Sequence, residues 1–167
     1  MSGRTLWFAF LKPWTVMFLP TLLLVLLAAD VHEQNYGRLV REYDDAQAVF
    51  RKAFDAAATP EEQQNVIQTK LPNTAAFAVR FMALAREGAK SPAAVEALIW
   101  VVLHPVELKL KESALRAEAL GTLGRDYGKD ARLGSLCTRL VANIDEDSEY
   151  FMREMTKQAV ERPVQAR

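Results

Sequence analysis

The sequence predicts an all-α protein of antiparallel helical hairpins, and three observations carry that prediction. Apolar residues recur at three- and four-residue steps in segment after segment, with no alternating run that would mark a strand. Helix-opening signals stand at the head of those segments, Ser91-Pro92 and Thr59-Pro60-Glu61-Glu62 foremost. Alanine and leucine dominate, while glycine, at 7 residues, is sparse.

Residues 1–29 differ from the rest. Arg4 and Lys12 flank Leu6-Trp7-Phe8-Ala9-Phe10-Leu11, and Trp14 to Ala29 run without a charge before Asp30 and Glu33. Bases before an apolar run and acids after it place the N-terminus in the cytoplasm and export the remainder of the chain, toward the periplasm or cell envelope. Two readings stand. One is a cleavable secretory signal ending at the small pair Ala28-Ala29, although Leu27 occupies a position that favours a small residue. The other is an uncleaved inner-membrane anchor over Leu6–Ala29, with Lys12 reaching toward the headgroups. Residues 30–167 form a single helical domain on either reading.

The first helix of that domain carries Tyr36, Leu39, Tyr43, Ala46, Phe50, Phe54 and Ala57 on one face, over about 22 residues. Thr59-Pro60-Glu61-Glu62 is a capping box that opens a second helix running to about Lys70. Pro72-Asn73-Thr74 breaks it and caps the third, Ala75 to Glu87, which buries Phe77, Phe81, Leu84 and Ala85 and ends on a left-handed Gly88. Ser91 caps the fourth and Pro92 opens it. From Ala93 to Leu103 its only polar residue is Glu96, placed in the first turn where the helix dipole favours an acid. A short helix apolar on nearly every face belongs at the centre, with Trp100 in the core between neighbours.

A fifth helix runs from Val106 to about Tyr127 with Leu108, Leu115, Ala119 and Leu123 inward; Gly121 and Gly124 weaken it and Gly128 closes it. Asp130 caps Ala131–Val141, which turns Leu133, Leu136, Cys137 and Leu140 to one side. Asp147 or Ser148 caps a last helix bearing Phe151, Met152, Met155 and Ala159, with Pro163 just beyond it. About seven helices joined by short connections pack antiparallel, as an α-solenoid of the tetratricopeptide or HEAT kind or as a compact bundle. The Phe/Met side of the last helix and Pro163 suggest an ancestor that continued past Arg167.

Lys+Arg and Asp+Glu both number 21; setting aside residues 1–29 removes two bases and no acid, which leaves a net charge of −2. That balance excludes the basic surplus of a nucleic-acid binder. The lone Cys137 could act as an accessible thiol, but beside Leu136 and Leu140 it reads as buried filler. His32 and His104 are the only histidines, so no metal site is expected, and His104 reads as a helix-end residue favoured by the dipole. Asp145-Glu146-Asp147 with Glu149 lacks the central glycine of a calcium loop and reads as acids at a helix start. The glycines at 121, 124 and 128 come after no strand, so they form no phosphate loop. Glu42 and Glu62 lie on charged faces with no partner acid or nucleophile in view. No catalytic, cofactor-binding or metal-binding residue is assigned.

Several segments resemble the all-helical N-terminal region of exported bacterial redoxins, the TlpA-like thiol–disulfide oxidoreductase group. They are Pro92–Val102; Tyr36, Leu39, Glu42, Tyr43, Ala46, Phe50, Ala53 and Phe54; Phe77-Ala78 with Arg80-Phe81 and Leu84-Ala85; Leu133-Gly134 with Cys137 and Leu140; and Arg162 with Val164-Gln165. In that group the helical region precedes a thioredoxin-like domain. Here there is no Cys-x-x-Cys, so the resemblance implies the helical module without its redox activity. The expectation is a non-enzymatic, exported or membrane-tethered module with an unidentified protein partner and no cofactor. The alternatives are a redox accessory acting through Cys137, or an enzyme whose residues meet only in the fold.

Overall fold

The apolar run at residues 92–103 does sit at the centre, and the other helices are arranged about it. The computed structural model describes residues 19–104, 110–143 and 145–165, with side chains over 31–104, 114–142 and 145–157. Among these lie seven α-helices: α1 (Leu19–Ala56), α2 (Pro60–Lys70), α3 (Thr74–Glu87), α4 (Pro92–Leu103), α5 (Leu110–Tyr127), α6 (Arg132–Leu140) and α7 (Glu146–Gln165). A 3-10 turn at Val141–Asn143 joins the last two.

Ser91 Oγ accepts the Ala94 N–H at 3.1 Å and Pro92 opens α4, as expected from the local sequence. Ala93, Ala94, Val95, Ala97, Leu98, Trp100, Val101 and Val102 are all buried. Burying each of the larger aliphatics contributes about 1.5–3 kcal/mol, so this one helix anchors much of the core. It packs on α1, α3 and α5 together, which makes the assembly a bundle around α4. Trp100 stacks on Phe81 of α3, with centroids 4.0 Å apart, and meets the edge of Tyr43 of α1 at 5.0 Å. The placement of Trp100 between two neighbouring helices is therefore observed.

Two arginines hold the ends of α4. At its start, Arg132 of α6 donates to the Pro92 carbonyl at 3.1 Å and to Glu96 at 2.8 Å. Glu96 lies beyond the first turn, so it serves as a partner for Arg132 where a dipole role was expected. At the other end, Arg116 of α5 donates to the Val102 carbonyl at 3.3 Å, to Asp145 at 2.6 Å and to the Ser148 hydroxyl at 2.7 Å. A buried guanidinium that fills its hydrogen bonds this way is a cross-tie between α4, α5 and the start of α7.

Several local expectations are met and others are corrected. Thr59 and Glu62 form the reciprocal capping box at the head of α2, and Asn73 caps α3. Gly88 ends α3 but at φ −96°, so it is not left-handed; the positive φ, 74°, belongs to Lys90. Space is tight at 88. A Cβ there would stand 3.1 Å from the His32 ring and 3.0 Å from Ser91 Oγ. Helix α6 begins at Arg132, with Ala131 as its cap residue, and the Asp130 side chain accepts the Arg132 N–H at 2.9 Å as a cap of a helix starting at Ala131 would. The cap of α7 is Asp145, whose Oδ1 accepts the Ser148 N–H at 2.8 Å, and neither Asp147 nor Ser148 fills that role. Helix α7 also runs through Pro163 to Gln165. The expected onset of the fifth helix at Val106 lies outside the described residues.

The largest correction concerns residues 1–29. Among the described residues no helix is long and apolar enough to cross a membrane. A span needs about 20 apolar residues. Within α1 only Leu19 to Ala29 is uncharged before Asp30, and Glu33 and Arg38 come next. Nor does that stretch stand as a separate apolar segment, because α1 passes through Ala28, Ala29 and Asp30 without a break and extends to Ala56. Membrane tethering through this helix, and with it the inner-membrane anchor and the membrane as a partner, is therefore set aside. The remainder of the expected signal or anchor, residues 1–18, lies outside the described residues.

The far half of α1 and all of α2 make a hairpin unlike the rest. From Asp44 to Leu71 no described residue is buried. Val49, Ile67 and Leu71 are exposed, while Phe50 and Phe54, 5.7 Å apart, are half-buried. The hairpin is anchored where Tyr43 and Leu39 enter the core, and Glu42 pairs there with Arg80 of α3.

Candidate functional site

The described part of α5 places Ala117, Gly121 and Gly124 at i, i+4 and i+7, a stripe of residues with little or no side chain along one face. On α7 the matching face carries Asp147, Tyr150, Phe151 and Glu154. The two helices pack together, and a groove of about 570 Å³ lies between them. Phe151 is buried and Leu120 lies beside it in the floor. The Phe151 ring stands 3.6 Å from where a Cβ on Gly124 would be. Tyr150, 65% exposed, rises at the edge.

Gly121 is the informative residue of this groove. It lies within a continuous helix and is exposed, and a Cβ added there would meet nothing within 4 Å. Mid-helix glycine is less stable than alanine by about 0.5–1 kcal/mol. Among the described residues neither a turn nor a close approach accounts for it. Helix α5 nevertheless runs unbroken through Gly121 and Gly124.

The charged groups around the groove are mostly engaged. Arg125 forks onto Asp126 at 2.9 Å, Glu154 meets Lys157 at 2.6 Å, and Glu149 pairs with Arg153. Burial alone would raise the Asp145 carboxyl, but hydrogen bonds from the Ser148 amide and hydroxyl and the Arg116 guanidinium hold it below the usual carboxylate range. On the opposite side of α4, the Arg132 guanidinium draws Asp130 down to about 2. Both shifts come from structural ties.

The residues weighed from the sequence scatter over the fold. Cys137 is half-buried against the core, and burial pushes its thiol up, away from the reactive thiolate. His32 lies against Gly88, and its Nδ1 is buried without a hydrogen-bond partner. Glu62 is spent in the capping box, and Glu42 bridges Arg38 and Arg80. Trp100 is core. Among the described residues no group of three His, Cys, Asp or Glu side chains could hold a metal ion.

His104 stacks nearly parallel on Trp100, with centroids 4.1 Å apart, and its Nδ1 lies 2.8 Å from the Trp100 carbonyl. A neutral imidazole donating Nδ1–H fits that contact. Burial lowers its pKa, outweighing the hydrogen bond, so the expected benefit of a charged ring at a helix end is not its role. The unfolded chain protonates first as pH falls. Stability that depends on the neutral ring is complete above about pH 6.5 and declines below it. The urea midpoint should drop between pH 8 and pH 5 in the native chain, and that drop should shrink in His104→Asn.

The groove itself was not found from the sequence, although the Ala117, Gly121, Gly124 spacing was there to be read as a small-residue face. No family model, curated protein or solved structure matches the chain.

Proposed function

We propose that this chain is a non-enzymatic helical module that holds a segment of a partner protein in the groove between α5 and α7. The observation that carries this reading is the groove itself, lined at Gly121 by a mid-helix glycine that no neighbour among the described residues requires. Around it are an apolar floor and an exposed tyrosine, a residue type enriched where binding energy concentrates. Arg116, Arg132, Asp130, Asp145 and Glu62 act in caps and cross-ties, which favours a scaffold over a catalyst. The module is, on this proposal, a relative of the helical region of TlpA-like redoxins, on the strength of the residues that resemble it. Superposing α3 to α6 on such a region tests the kinship; a different helix order would refute it.

Gly134 of α6 supplies an internal control for the groove, being helical, exposed and equally open around its missing Cβ. A photo-reactive amino acid at position 121, in cells that normally make the protein, should give a discrete cross-linked species that the same probe at 134 does not. Equal labelling from both positions, or none from 121, would refute the docking role of the groove.

A further inference from the structure

The ends of the groove differ in charge, and that difference constrains its occupant. At the α5 C-terminal end Arg125 and Glu154 are each already paired, with Asp126 and Lys157. At the other end Asp147 stands in the first turn of α7 next to Glu146. Two further acids there are committed, Asp145 to Arg116 and Glu149 to Arg153. Asp147 has no cation within ion-pair distance among the described residues. Among the described residues, the one carboxylate lining the groove without an ion-pair partner therefore lies at one end of it, with the exposed Tyr150 one turn further along α7.

The walls constrain the occupant's backbone. Both are helices whose main-chain groups are satisfied internally, so they offer no sheet edge to an extended strand. A strand laid in this groove would leave its own amides and carbonyls unpaired, whereas a helix brings its hydrogen bonds with it. Small residues at 117, 121 and 124 let a helix axis come close, toward the short end of the roughly 8–10 Å range for packed helices. From Ala117 to Gly124 the floor is about 10 Å long, the length of two helical turns.

We infer that the groove receives an amphipathic helix of a partner protein, with a narrow apolar stripe two to three turns long and a lysine or arginine at the end that meets Asp147. This rests on the docking role proposed above and adds the partner's chemistry.

Three labelled 18-residue peptides and the full chain test it by fluorescence anisotropy. One is an amphipathic helix with lysines flanking a Leu/Ala stripe, the second replaces those lysines with glutamates, and the third scrambles the lysine peptide to destroy the stripe. The lysine helix should bind, and the other two at least about tenfold more weakly. Gly121→Leu should weaken its binding at least about tenfold, with Gly121→Ala and circular dichroism as controls for an intact fold. Asp147→Lys should weaken the lysine helix and strengthen the glutamate helix. Equal binding of the glutamate helix, still sensitive to Gly121→Leu, would overturn the charge inference and leave the groove standing. Lysine-helix binding indifferent to Gly121→Leu, or no binding, would overturn the inference outright, while cross-linking at position 121 decides separately whether the groove docks anything.

Discussion

Replacing Trp100 with alanine is expected to destabilise the fold by about 3–5 kcal/mol, measured as a shift in the urea or thermal unfolding midpoint. The indole is 6% exposed and is held on three sides, by Phe81, by His104 and by the edge of Tyr43. Its removal takes away the surface that three helical segments share, and the stacked rings cannot close the gap without moving α1 or α3. The cost adds a cavity to the lost transfer energy, which puts it among the largest single-residue losses to be expected. Trp100→Phe keeps an aromatic plane in the stack and should recover a large part of the loss. A near-neutral Trp100→Ala would mean that α4 does not lie at the centre.

Arg116→Met should cost about 2–3 kcal/mol. Breaking a buried ion pair costs about 3–5 kcal/mol when the abandoned charge stays buried. Here Asp145 is half exposed and can rehydrate, so the lower figure applies. The Val102 carbonyl and the buried Ser148 oxygen each lose the hydrogen bond that Arg116 donates, while the Ser148 hydroxyl keeps its bond to Asp145. The substitution also changes the response to acid. Arg116 helps to hold Asp145 below the usual carboxylate range, so the unfolded chain binds that proton first as pH falls. The stability linked to Asp145 is complete above about pH 4 and is lost in stronger acid. The gap between native and Arg116→Met chains should therefore be wide at pH 7 and narrow progressively as the pH falls below about 4. A constant gap would mean that Arg116 acts by packing alone.

What was legible in the sequence is what depends on neighbours along the chain. The α2 capping box joins Thr59 to Glu62, three residues apart, and the burial of α4 comes from a run apolar on nearly all faces. Both were open to local reasoning. The cap of α7 was not, because Asp145, Asp147 and Ser148 are all good capping residues. The choice among them falls to Asp145, which Arg116 reaches from 29 positions away in the chain. Arg116 and Arg132 look like surface arginines in a charged, periodic helix, and only the fold shows that each closes one end of α4. The groove was obscure for a related reason. Glycine in a helix reads as a weakness until the facing helix shows that its absent side chain leaves room.

The α1–α2 hairpin has a consequence for how the molecule opens. Since no described side chain from Asp44 to Leu71 enters the core, that hairpin can come apart while Leu39, Tyr43 and everything around α4 stay closed. The molecule then has two cooperative units of unequal strength. Amides of α2 should exchange with deuterium long before those of α4. The exposed link at Ala58-Thr59 becomes the natural place to cut the chain or to splice in another domain, at little cost to the rest.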